Sequence, residues 1–170
     1  ILTKNSFDIC IIFGTPLIRD EIVHRLPAKT LNIHLGLSPD YRGAATLFWP
    51  FYFLEPNFAG YTLHEIVSEP DAGPIYHQAV PELQFGDTIH DVGAKVVRKA
   101  AEDLPFLISY LSKKKLKPIQ QIRSGKNWRA SDFRSDHLRI IYDLYEDRIV
   151  DYYLSGVLKP RKVKLISVLN

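Results

Sequence analysis

The chain carries one cysteine, Cys10, and no methionine among its 170 residues. A single thiol forms no intrachain disulfide, and its place inside the apolar run from Phe7 to Phe13 reads as a small buried hydrophobe. That usage points to a reducing compartment, and the expected location is the cytoplasm. No apolar stretch approaches the roughly 18 residues of a membrane span, and no charged-then-apolar leader opens the sequence, so no membrane partner is expected. Neither a Gly-x-Gly-x-x-Gly loop nor a Walker-type loop is present, which removes the direct signal for a dinucleotide or ATP site. His24, His77, His90 and His137 have no ligand-like grouping with cysteines or carboxylates, and no metal is expected. Repeats and low-complexity tracts are lacking too. A natural domain of this size normally holds several methionines, so either the composition is unusual or some residues, methionines for instance, are absent from the sequence.

What is present is ordinary for one globular unit, with 46% hydrophobic and 24% charged residues and a net charge of +3. Much of the positive charge lies in Lys113, Lys114, Lys115 and Lys117, and in Lys159, Arg161, Lys162 and Lys164. Such runs are usually solvated surface; as a patch they would suit the phosphates of a nucleotide-sugar or a tRNA, and charge alone does not choose between those partners.

Periodicity predicts alternating strands and helices. Phe7 to Phe13 reads as a buried strand broken by Gly14-Thr15-Pro16, and Leu17 to Leu26 as an amphipathic helix. Lys29 to Leu35 is the second strand. Ala44 to Leu54 reads as a buried aromatic helix kinked at Pro50. Two strands, Tyr61 to Val67 and Pro74 to Val80, flank the turn Glu69-Pro70-Asp71-Ala72-Gly73. Asp87 is placed to cap a long helix from Thr88 that Pro105 should bend or end. After a polar stretch from Gln120 to Phe133, a helix from about Asp136 to Ser155 should stop at Gly156, and Val163 to Leu169 reads as a strand. Alternation of this kind implies an α/β fold with a doubly wound, mostly parallel sheet. The sheet wants more strands than the first half supplies, so an N-terminal βα portion is expected to be missing.

Asn32 and His34, two residues apart on a strand, point to one face at a strand end, where α/β folds place their chemistry. Taken alone, the pair reads as readily as loop hydrogen-bonders. The surrounding order changes its weight. Asn32-x-His34, Ser38-Pro39-x-Tyr41-Arg42-Gly43-Ala44, Gly60-Tyr61-Thr62-Leu63-His64 and Asp71-Ala72-Gly73-Pro74-Ile75 together resemble the folate-dependent formyltransferase family, from about Asp8 to Leu111. That family includes methionyl-tRNA, glycinamide ribonucleotide and sugar N-formyltransferases.

The resemblance implies a Rossmann-like catalytic domain over residues 1–116, in part, and a small strand-helix-strand extension over 117–170 through which the chain could oligomerise. It implies a catalytic set of Asn32, His34 and Asp71 that moves a formyl group from 10-formyltetrahydrofolate to a primary amine through a tetrahedral intermediate. Asn32 is suited to hold the oxyanion, and His34 or Asp71 to take the amine proton, the choice between them left open. Folate is expected against Phe13, Gly14, Thr15, Pro16 and Leu17 and against Val67, Pro70 and Asp71. Acceptor contacts are expected from Ser38, Tyr41, Arg42 and Gly43, while His64 reads as a supporting or core residue. Methionyl-tRNA enzymes append a β-barrel for which the region after Leu116 is too short, so the tail resembles that of the sugar enzymes. The expected acceptor is a nucleotide-linked amino sugar, with methionyl-tRNA as the alternative and a non-catalytic folate-binding module as a reading of another class.

Overall fold

A computed structural model describes residues 7–16, 18, 20–113, 116–122 and 125–169. Its main sheet has four strands: β1 (Cys10–Phe13), β2 (Thr30–His34), β4 (Tyr61–Glu65) and β5 (Ile75–Ala79), in that spatial order. A smaller sheet joins β3 (Tyr41–Gly43) to β6 (Lys126–Trp128). The α/β class agrees with the sequence reading. The described sheet is mixed, however: β1 and β2 run parallel, whereas β2–β4 and β4–β5 are antiparallel. For β4–β5 the cause is connection length. Only nine residues, 66–74, join β4 to β5, too few for the crossover of a dozen or more that a parallel pair requires.

The long helix α3 (Ile89–Lys113) buries Val92, Val96, Ala100, Leu107 and Leu111, a stripe at helical spacing that packs beside Leu31 and Leu63 of the sheet core. Pro105 lies on its exposed side, where the carbonyl deprived of a partner turns to water, and the helix runs through it rather than ending. Its cap is Thr88, not Asp87. The Thr88 hydroxyl accepts the Asp91 N–H, and the Asp91 carboxylate accepts the Thr88 N–H in return. Asp87 instead holds Lys95 at 2.7 Å.

Pro50 begins a helix instead of kinking one: α2 is only Trp49–Tyr52, with the proline in its first turn. The first helix is likewise short in the described residues, α1 (Asp20–Val23). The helix expected over 136–155 is broken into a 3-10 turn (Ser135–His137), a π turn (Ile140–Leu144) and α4 (Ile149–Leu154). Glu146 and Asp147 have φ of +51° and +54° and interrupt it, and the Asp147 carboxylate accepts the Ile89 N–H at the start of α3. Gly156 does close α4, at φ +78°. Residues 163–169 form no strand, only a bridge of Ser167 to His77. Among the described residues no helix is long and apolar enough to cross a membrane.

β6 could not be placed from local pattern. It lies parallel to β3, Tyr41 opposite Lys126 and Gly43 opposite Trp128, and Trp128 stacks on Trp49 with ring centroids 3.9 Å apart. Ile119 and Ile75 exchange both backbone hydrogen bonds at 2.8 Å. The segment after α3 is thereby tied to the first residue of the edge strand β5.

Candidate active site

Register brings the site together. Asn32 on β2 faces His64 on β4 directly across an antiparallel pair, and His34 lies two residues on, on the same face. The loop between β4 and β5 then folds back over this face. Asp71, at its bend, has φ +50°, a left-handed conformation that Asp tolerates better than most side chains.

The Asp71 carboxylate is the hub. Its Oδ2 accepts the Gly43 N–H at 2.9 Å and lies 3.3 Å from His34 Nδ1, while Oδ1 lies 3.4 Å from both Asn32 Nδ2 and His64 Nε2. Tautomers follow from the partners. His34 Nε2 sits 2.9 Å from the Tyr41 carbonyl oxygen and therefore donates to it, which leaves the Nδ1 lone pair facing Asp71 when the ring is neutral. His64 Nδ1 donates to the Glu65 carbonyl at 2.7 Å, so in the neutral ring Nε2 accepts from Asn32 Nδ2 at 3.3 Å, and in the charged ring it donates to Asp71 Oδ1 at 3.4 Å.

Burial pushes the His34 imidazole below its ordinary 6.5, against the opposing pull of the Asp71 charge. Burial alone would raise the Asp71 carboxyl, but the His64 hydrogen bond, the His34 charge and the Gly43 N–H together outweigh it and hold the group below 3.8. At neutral pH the site holds a carboxylate beside a ring whose inward nitrogen is open to a proton. A stability consequence is expected. The unfolded chain protonates His34 near pH 6.5 and the folded chain only lower, so stability falls as pH drops below about 6.5. His77, also lowered by burial, adds to that loss, and Asp71 adds another below pH 3.8. Thermal melts between pH 7.5 and 5 should show a falling midpoint, flattened in His34→Gln; an unchanged slope in that variant would refute the assignment.

Asn32, His64 and Asp71 line a cleft of about 640 Å³. One wall is apolar, from Ile12, Pro16, Ile18, Ile66, Val67 and Pro70 with Thr15; the other carries Gly43, Ala44, Asn127, Trp128, Arg129 and Ala130. Arg129 is the one permanent cation on the described lining, and its guanidinium forms no ion pair among the described residues. His34 sits behind Asp71, 7% exposed and outside that lining.

The expected residues thus divide. Thr15, Pro16, Val67, Pro70, Asp71 and Gly43 lie on the cleft, as does Asn32. Phe13 and Gly14 lie beyond its lining, and Leu17 is outside the described residues. Three expected acceptor contacts are turned away from it. The Ser38 N–H bonds Thr62 Oγ1, the Tyr41 hydroxyl donates to Glu55, and Arg42 is buried with Nη1 on Glu69 at 3.0 Å and Nη2 on the Gly125 carbonyl at 3.3 Å. The Tyr41 hydroxyl and both terminal nitrogens of Arg42 are engaged in bracing the loops. The sequence reading missed Asn127, Trp128 and Arg129, which reach the cleft only through the pairing of β6 with β3.

Residues 5–108 match the formyl transferase family model. Among solved structures, the chain is similar to the formyltransferase PseJ from Anoxybacillus kamchatkensis, solved with UDP-4,6-dideoxy-4-formamido-L-AltNAc and tetrahydrofolate. The TM-score is 0.64 at 24% identity, over 86% of this chain and 76% of that one. A 4-N formyltransferase from Francisella tularensis matches at 25% identity and TM-score 0.64, over 78% and 56%. Glycinamide ribonucleotide transformylase 1 from Symbiobacterium toebii matches at 28% and 0.55, over 70% and 57%. The chain spans little more than half the length of the last two.

Proposed function

This chain belongs to the formyl transferase family, and we propose that it passes a formyl group from 10-formyltetrahydrofolate to the primary amine of a nucleotide-linked amino sugar. The observation that carries the proposal is the convergence of Asn32 and Asp71 on a cleft with one apolar wall, with His34 held against Asp71 behind it. A flat ring system suits the apolar wall that Pro16, Ile66 and Val67 form beside the strand ends. The ligands of the Anoxybacillus relative support both halves of the reading.

The folate supplies the formyl carbon; the chain's own residues manage the protons and charge. The amine must lose a proton as its nitrogen attacks, and the gap between His34 Nδ1 and Asp71 Oδ2 receives one proton, giving an imidazolium–carboxylate pair. Burial keeps that gap empty beforehand, and the Asp71 charge stabilises it once filled. Negative charge on the formyl oxygen needs a donor. Both Asn32 Nδ2 contacts are long, at 3.3 and 3.4 Å, so the amide can exchange one for the oxyanion at small cost. The stored proton then goes to the departing folate nitrogen.

Arg129, alone on the wall opposite the apolar one, is proposed to hold a phosphate of the acceptor. Amine-dependent release of tetrahydrofolate, followed by absorbance with UDP- and dTDP-linked amino sugars and with methionyl-tRNA, tests the reading. Turnover is expected with a sugar nucleotide. Turnover with tRNA alone, steeply lost with salt, would replace it with the methionyl-tRNA reading, and folate binding without release on any amine would leave a binding module. Arg129→Ala is expected to raise the acceptor KM about tenfold, the weight of one charge-assisted hydrogen bond, with kcat within about twofold. An unchanged KM would remove Arg129 from the acceptor site.

A further inference from the structure

We propose that Gln121, beyond the family-matched residues 5–108, is a positioning residue for Asp71: its amide clamps both ends of the bend that presents the carboxylate. The proposal rests on the formyl-transfer reading given above. Gln121 Nε2 donates to the Asp71 carbonyl at 2.9 Å and to the Gly73 carbonyl at 2.8 Å, using both amide hydrogens on one turn.

The amide orientation is forced. Its Oε1 is buried without a partner, and turning the group over would set that oxygen against two carbonyl oxygens while stranding the NH2. An unpaired buried acceptor is tolerated so that two donors can face the turn. What the donors hold is a residue with φ +50°, a backbone state that an L residue keeps only when neighbours hold it there. Gly73 shows how closely that turn is seated, since a side chain there would run into the Glu65 carbonyl.

The clamp is delivered from far along the chain. Ile119 is tied to Ile75 on β5 by a reciprocal pair of backbone bonds, which sets Gln121, two residues on, beside the bend. The same stretch braces the turn again through the Gly125 carbonyl, which accepts from Arg42, whose other arm holds Glu69 at the start of the bend. Gln121 and Gly125 therefore both brace the catalytic loop, and the geometry of Asp71 toward His34 depends on a residue 50 positions away from it in sequence.

Gln121→Met keeps the length and removes both donors; Gln121→Glu keeps the shape and sets an oxygen against the carbonyls. Each full-length variant is to be compared with wild type by melting temperature, by tetrahydrofolate binding, by kcat and KM, and by NMR titration of the His34 ring. The titration is informative because Asp71, His64 and Arg42 are the charged or titratable groups acting on that ring, and only Asp71 raises it. A loosened bend is expected to move the His34 midpoint further down and to lower kcat roughly tenfold to a hundredfold, with folate affinity within about twofold. A lower melting temperature with His34 titration and kcat unchanged would overturn the proposal, as would no change in any readout. Were wild type to turn over no acceptor, the formyl-transfer reading would fail while the His34 titration still decided whether Gln121 positions Asp71.

Discussion

Asp71→Asn is expected to lower kcat by about 10²- to 10⁴-fold, the range that a positioned proton-transfer group supplies, with the chain still folded. Asparagine conserves the shape and accepts the left-handed backbone that Asp71 occupies at φ +50°. Its side-chain oxygen can still take the Gly43 N–H that now holds Oδ2. What disappears is the charge. The His34 ring, already lowered by burial, then loses the one nearby charge that pulls its pKa upward, and the pair no longer accepts a proton from the amine. A steady-state assay of tetrahydrofolate release, with a circular-dichroism melt as control for folding, reads both halves of this expectation. A loss smaller than tenfold in a folded variant would remove Asp71 from proton transfer. In wild type the rate should fall as pH drops through a value below 6.5, because protonation fills the gap between ring and carboxylate.

The three proposed catalytic residues were legible through the resemblance that their motifs carry, and a short-range rule places each of them. Asn32 and His34 share a face by strand alternation, and Asp71 lies in a turn announced by Glu69-Pro70-Asp71-Ala72-Gly73. One short link hid the direction of the strands. The nine residues between β4 and β5 contain the turn, and reading them for strand direction would have given the antiparallel pair at once. Pro50 and Asp87 were misplaced by one structural role each. Proline suits a first helical turn as well as a kink, and an aspartate that binds Lys95 is not free to cap. The wall bearing Trp128 and Arg129 could not be reached by any local rule. β6 pairs with β3 across more than 80 residues, and only tertiary packing, above all the stack of Trp128 on Trp49, brings those side chains to the cleft. The position of Gln121 is hidden for the same reason, since it depends on the bridge of Ile119 to Ile75.

Asn32→Ala should reduce kcat by about 10²- to 10³-fold, the usual effect of removing one preorganised oxyanion donor. The folate KM should change little, because the amide is engaged by His64 and Asp71 before reaction and turns its hydrogen to the substrate only as charge develops. Folding should weaken by roughly 1–3 kcal/mol, since truncation leaves the buried His64 Nε2 without its donor and removes one contact from Asp71 Oδ1. Asp71 itself stays held by Gly43, so its carboxyl remains below the ordinary range and the acid limb of the pH profile should persist. The persistence separates the two roles: loss of Asp71 removes the limb together with the rate, whereas loss of Asn32 lowers the rate at every pH. An Asn32→Ala profile that lost its acid limb would show instead that Asn32 acts by holding Asp71 in place, and the oxyanion donor would have to be sought at the cleft-facing ring of His64.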